Sequence, residues 1–119
     1  MLKEATLTTI HQLVDAEIDH CEMSLQMAFR DDTQDEVRCW TARLCNALSV
    51  RYELRLSTSL TNNAIGTVNT LIVDEIDRAG HVLQDVYDGR SVDDEAALDE
   101  WLTRLRTALL ARRDFCDNY

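Results

Sequence analysis

Apolar residues recur at intervals of three and four along most of this chain, the spacing that places them on one side of an α-helix. The first segment carries the pattern through Leu7, Ile10, Val14, Ile18, Cys21, Leu25 and Ala28. The second carries it through Val37, Trp40, Leu44, Leu48 and Tyr52 or Arg51. Two later segments continue it through Ile65, Val68, Ile72, Ile76, Ala79, Leu83 and Val86, and through Leu98, Trp101, Leu102, Leu105, Leu109 and Phe115. The pattern predicts four amphipathic helices.

Turn-forming residues separate the four segments at Asp31–Thr33, Ser57–Asn63 and Gly89–Ser91, and the chain contains no proline that would break a helix. We predict helices over residues 2–30, 34–56, 64–88 and 92–116. Capping boxes are expected where two of these helices begin, and a left-handed glycine cap where the third ends. The capping residues are Thr33 with Glu36, Ser91 with Asp94, and Gly89.

Short turns between helices 1 and 2, and between helices 3 and 4, require each pair to run antiparallel. Four helices with one apolar side each can bury those sides only against one another, so the predicted fold is all-α, an antiparallel four-helix bundle. A chain of 119 residues supplies one core, and we expect residues 1–119 to form a single domain. A dimer of helical hairpins would satisfy the same pattern. We expect no internal repeat.

The chain is strongly acidic, with 12 basic and 22 acidic residues and a net charge of −10. Such a surface repels phosphate backbones and anionic lipids, so we expect neither nucleic acid nor membrane as a direct partner. The N-terminus lacks the apolar region of a signal peptide, which favours a cytoplasmic location. In that reducing environment we expect Cys21, Cys39, Cys45 and Cys116 to be buried free thiols.

Two groups of residues resemble fragments of metal sites. Glu17 and His20 have the Glu-x-x-His spacing of carboxylate-bridged di-iron bundles, but the required second copy is missing. We expect the Glu17 carboxylate to lie in solvent. A zinc site of His20, Cys21 and Cys45 would need two adjacent helical residues to converge and lacks a fourth ligand. With no catalytic motif either, we expect no metal, no cofactor and no enzymatic activity; a metal-dependent enzyme built on Glu17 and His20 remains the third alternative.

Acidic residues line the predicted outer face of helix 3, and helix 1 carries a similar row that begins near Glu4 and His11. Like charges at this spacing cost about 0.2 to 0.5 kcal/mol per pair, so helix stability does not favour the arrangement. The hypothesis is a small acidic inhibitor, immunity protein or phage anti-defence protein that binds and blocks or escorts a basic partner protein. A merely solvated helix face is the alternative. The candidate binding residues are Asp74, Asp77, His81, Asp85, Asp88, Asp15, Asp19 and Glu22.

A second hypothesis uses apolar surface. A dimeric adaptor or a secretion or assembly chaperone would expose more hydrophobic side chains than one bundle core needs. Candidates for such a patch are Met23, Met27, Phe29, Leu54 and Leu56. Methionine is also a common gap filler, and we expect these residues to pack in the core. The chain is therefore expected to be a monomer or a homodimer.

Overall fold

The computed structural model describes residues 1–56, 59–89 and 95–119, and it is 88% helical. Four α-helices follow one another: α1 (Glu4–Arg30), α2 (Gln34–Arg55), α3 (Asn62–Tyr87) and α4 (Glu95–Asn118). These described ranges contain no β-strand. The predicted helix ends that fall within the described residues agree with the observed ends to within one turn, whereas the predicted start of the fourth helix, at residue 92, lies outside them. The capping box expected at Ser91 and Asp94 lies outside the described residues.

The helices form two compact units. One consists of His11–Val68, and the other combines Met1–Ile10 with Asn69–Tyr119. Helices α1 and α3 each contribute residues to both units. The helical content and the helix–helix contacts confirm the predicted all-α fold and are consistent with a four-helix bundle.

In the unit His11–Val68, α1 and α2 run antiparallel around a tight turn. Asp32 adopts a left-handed conformation there, with φ 54°, and the backbone N–H of Thr33 donates to the Ala28 carbonyl at 3.1 Å. Thr33 is the N-cap residue of α2, but its hydroxyl donates to the Glu36 carboxylate at 3.2 Å instead of accepting from a backbone N–H. The buried side chains of this unit are Val14, Ile18, Cys21, Ala28, Ala47, Val50, Leu60, Ala64 and Val68.

The other unit packs α4 against most of α3 and the start of α1. Its largest fully buried side chains are Phe115, Ile10 and Ile72, and the smaller Ala79, Ala108 and Ala111 let the helices approach closely. Gly89 follows α3 with φ +71°, which confirms the predicted left-handed glycine.

The buried faces predicted for α2 and α4 are partly wrong. Leu48 and Tyr52 are exposed on α2, as are Leu102 and Leu109 on α4. Phe115 is fully buried as predicted, but the other fully buried positions of these helices are Ala47, Val50, Ala108 and Ala111. On both α2 and α4, an arginine that pairs with the preceding helix lies at the edge of the buried face. The buried face is therefore on the arginine's side of the helix, and the leucines lie outside it.

The two units are built alike, so the expectation that the chain has no repeat is wrong. The Glu-Ile-Asp of Glu17–Asp19 in α1 recurs as Glu75–Asp77 in α3. The pattern W-x-x-R-L-x-x-A-L occupies Trp40–Leu48 in α2 and Trp101–Leu109 in α4. Each unit therefore draws on a helical hairpin of the same design.

The contacts of these repeated residues are also equivalent. The Arg43 guanidinium lies 2.7 Å from a Glu17 carboxylate oxygen and 4.4 Å from the centre of the Trp40 ring. In the other unit Arg104 lies 2.7 Å from Glu75 and 4.0 Å from the Trp101 ring. Each cluster joins the two helices of one hairpin through an ion pair and a cation–π contact.

A second pair of equivalent contacts holds a helix N-terminus in each unit. Near the end of α2, Glu53 accepts from the backbone N–H of Thr61 at 2.8 Å, just before α3. Near the end of α4, Asp114 accepts from the backbone N–H of Lys3 at 2.8 Å, just before α1. Thr61 also caps α3, because its hydroxyl accepts from the Ala64 N–H at 3.2 Å. A carboxylate from one hairpin thus satisfies a donor at the start of the other.

Candidate binding surfaces

The acidic residues of α3 lie on one side of the helix, which we name the α3 acidic face. It consists of Asp74, Asp77, His81, Asp85 and Asp88. All are exposed except Asp85, which is half-buried. The buried residues Ile72, Ala79 and Leu83 lie on the opposite side of the helix.

The members of this face differ in their contacts. The Gln84 amide donates to both oxygens of Asp88, at 3.1 and 3.2 Å, and Asp85 also interacts with other groups of the protein. No hydrogen bond or ion pair within the described ranges engages the carboxylates of Asp74 and Asp77. These two aspartates are therefore the members of the face best placed to bind a positively charged side chain of a partner.

The acidic row of α1 lies on the protein surface. Glu4, Asp15, Asp19 and Glu22 are exposed, and His11 is half-buried. Asp19 occupies in its hairpin the position that Asp77 occupies in the other, since both close the repeated Glu-Ile-Asp. At no other pair of equivalent positions do both rows carry an acidic residue.

Met23 and Met27 lie beside this row, and the expectation that they pack in the core is wrong. Their exposed fractions are 65% and 54%. They follow Asp19 at four-residue intervals, so all three lie along one line on the helix surface. We name the surface formed by Asp19, Glu22, Met23 and Met27 the α1 methionine face. It points away from the buried residues of the same helix.

The other residues of the predicted apolar patch lie elsewhere. Phe29 is 67% exposed and lines a groove of about 280 Å³ at the α1–α2 turn, together with Ala28, Asp32, Gln34, Val37 and Arg38. Leu56 is exposed and Leu54 half-buried, but both lie at the far end of α2. Because the hairpin is antiparallel, these leucines are separated from the methionines by most of the helix length. The five residues do not form one patch.

The residues considered for a metal site are engaged in other contacts. Both oxygens of Glu17 accept from the Arg43 guanidinium, at 2.7 and 3.3 Å, so the expected solvent-facing carboxylate is wrong. The His20 ring meets the Trp40 ring edge to face, with centroids 5.0 Å apart. Within the part of the chain that the structure describes, no group of three or more His, Cys, Asp or Glu residues could hold a metal ion.

The cysteines are free, but only Cys21 is buried. The prediction of four buried thiols is wrong for Cys39, Cys45 and Cys116, which are exposed. Burial raises the pKa of Cys21; the nearby carboxylate of Glu17 raises it further, while Arg43 opposes the shift. A buried, neutral thiol is a poor metal ligand and a poor nucleophile, so Cys21 acts as a small core residue.

The ion pair determines the electrostatics around Glu17. Burial lowers the pKa of Arg43, but the hydrogen bond and the charge of Glu17 raise it by more. The arginine therefore stays charged at every pH at which the protein is folded. The sequence offered a signal for this contact, because the same Trp-x-x-Arg spacing occurs twice.

Comparison with protein families, with curated proteins and with solved structures finds no match to this chain. Among the described residues, no helix combines the length and the apolar character that crossing a membrane would need.

Proposed function

We propose that this chain is a small acidic, non-enzymatic protein that binds a basic partner protein through the α3 acidic face, as an inhibitor, an immunity protein or a phage anti-defence protein would. The observation that carries the proposal is the placement of Asp74 and Asp77. Both are exposed, lie three residues apart on one side of a long helix, and have no partner within the described ranges. Binding would block or escort the partner.

The chemistry of the face fits arginine and lysine side chains. A carboxylate accepts two parallel hydrogen bonds from a guanidinium, and such charge-assisted bonds are stronger than neutral ones. The rest of the acidic chain, with its net charge of −10, would speed the encounter with a basic partner through long-range attraction. Helix stability gains nothing from adjacent carboxylates, whereas binding would.

Affinity capture tests the proposal. The purified protein is immobilised and exposed to lysate at low and high salt, and the retained proteins are identified by mass spectrometry. We expect a basic protein that is retained at low salt and released at high salt, because exposed charge pairs are screened. The variant D74K/D77K should lose it.

A matched control separates the face from the total charge. The variant D99K/E100K changes the net charge equally, at two exposed acidic residues of α4. We expect it to retain the partner nearly as well as the unmodified protein. Equal retention by all three proteins, with no dependence on salt, would refute the proposal.

A dimeric helical adaptor or a secretion or assembly chaperone is the second candidate. The observation that favours it is the exposure of large apolar side chains, among them Met23, Phe29, Leu56 and Leu110. Light scattering at micromolar concentration tests it. A tight dimer would support the adaptor or chaperone, and a monomer would favour the acidic binding protein over it.

A further inference from the structure

The repeated hairpin allows equivalent surfaces of α1 and α3 to be compared. Counting from the shared Glu-Ile-Asp, Asp77 corresponds to Asp19, His81 to Met23, and Asp85 to Met27. The same side of the helix is thus polar in α3 and rich in methionine in α1. Because α3 forms an equivalent unit with polar residues at these positions, the fold does not require apolar residues there.

The methionines of α1 are therefore surplus to folding. Met23 and Met27 expose more than half of their surface, so hydrophobic burial of their side chains contributes much less than a core methionine would. The unbranched, polarizable methionine side chain adapts to apolar side chains of varied shape, and methionine is used repeatedly at surfaces that bind amphipathic helices.

We propose that the α1 methionine face is a docking surface for a basic amphipathic helix of a partner protein. The charges beside the methionines determine the chemistry of that helix. Asp19 lies one turn before Met23, and Glu22 adjoins it. A helix with an apolar stripe flanked by lysine or arginine would bury the methionines and pair with these carboxylates.

The size of the face favours a single helix over a second copy of this chain. Two methionine side chains expose far less than the roughly 800 Å² per partner of a stable protein interface. A second copy would also bring its own acidic residues against Asp19 and Glu22. The basic charge of the partner helix rests on the proposed function. The apolar contact between that helix and the methionines does not depend on the proposed function.

Methionine methyl resonances test this inference directly. The chain has three methionines, and Met1, which belongs to the other unit, serves as an internal reference. The full-length protein is titrated with a synthetic leucine–lysine peptide of about 18 residues, or five helical turns, whose leucines form one stripe. A scrambled peptide of the same composition has the same charge but no stripe.

We expect the amphipathic peptide to shift the ε-methyl signals of Met23 and Met27 and to leave that of Met1 in place. The variant M23Q/M27Q should bind this peptide about tenfold more weakly, a loss of about 1.4 kcal/mol. The control variant L109Q/L110Q, which removes two exposed leucines from α4, should bind it as the unmodified protein does.

Three results would overturn the inference. The first is equal binding of the scrambled and amphipathic peptides, which would show that charge alone is recognised and would leave the proposed function standing. The second is unchanged affinity of M23Q/M27Q. The third is the absence of binding by either peptide. Circular dichroism verifies that each variant is helical.

Discussion

One arginine in each hairpin links its two helices through side-chain contacts. Arg43 and Arg104 each pair with a carboxylate of the preceding helix and cover a tryptophan ring. The glutamate side chains are nearly buried, at 13% and 9% exposed, while the arginine side chains remain 42% and 36% exposed. Removing one partner of such a half-buried pair costs more than breaking a surface ion pair, because the group left behind is poorly solvated.

Neutralising either carboxylate should cost about the same. We expect Glu17→Gln and Glu75→Gln each to lower the free energy of unfolding by about 1–2 kcal/mol, less than the roughly 3–5 kcal/mol of a fully buried pair, because the arginines reach solvent. Urea denaturation measures this. The exposed Glu22→Gln should change it by less than about 0.5 kcal/mol. If only one of the two hairpins responded, the equivalence of the clusters would be wrong.

Asp114 gives the protein a pH dependence with a definite sign. Its carboxylate accepts from the Lys3 backbone N–H and the Thr6 hydroxyl, and these hydrogen bonds hold its pKa below the usual value. Because the pKa is lower in the folded state, its stabilisation is complete above about pH 4 and is lost as the pH falls through the depressed value. The carboxylate thus secures the start of α1 only while ionised.

The variant D114A tests this linkage. Its thermal midpoint should lie below that of the unmodified protein at pH 7, and the difference should shrink as the pH falls below about 4 and through the depressed pKa of the carboxyl group. The exposed Asp117→Ala is the control. A difference that stayed constant across this pH range would contradict the assigned role.

The elements show what the sequence could and could not predict. Helix existence and ends followed from the three- and four-residue spacing and from the turn residues, and α1 and α3 bury nearly the faces expected. The faces of α2 and α4 were mispredicted, because apolar spacing counts Leu48 and Leu109 as core and arginine as surface. The long arginine stem can lie on the inner edge while its charge pairs across the hairpin, and no hydrophobicity pattern contains that information.

Two glycines with different backbone conformations provide a matched test at the scale of the helix. Gly89 ends α3 with φ +71°, so Gly89→Ala should destabilise the protein by about 1–2 kcal/mol. Gly80 lies inside α3 with open space around an added methyl group, so Gly80→Ala should stabilise it by about 0.5–1 kcal/mol. Thermal unfolding compares the two, and shifts of the same sign would contradict this explanation.

At the scale of the whole molecule, a repeated hairpin carries two different surfaces. The outward placement of Asp74 and Asp77 was predicted from spacing alone, because charged residues at helical intervals opposite an apolar face can lie only in solvent. The exposure of Met23 and Met27 was not, because a methionine near an apolar face is usually core. The polar residues at the equivalent positions of α3 are the signal in the sequence that indicates the exposure of Met23 and Met27. The two surfaces share the aspartates Asp19 and Asp77, and they differ where Met23 and Met27 stand in place of His81 and Asp85.

The most direct test of the central claim is an isothermal titration of the protein with the captured partner at two salt concentrations. At about 50 mM salt, attraction between surface charges is weakly screened, and at about 500 mM it is strongly screened. The unmodified protein and D99K/E100K should bind with affinities within about threefold of each other, and D74K/D77K should bind at least about tenfold more weakly at low salt, a difference that narrows at high salt. Equal weakening by both variants would show that total charge, and not the α3 acidic face, is what the partner recognises.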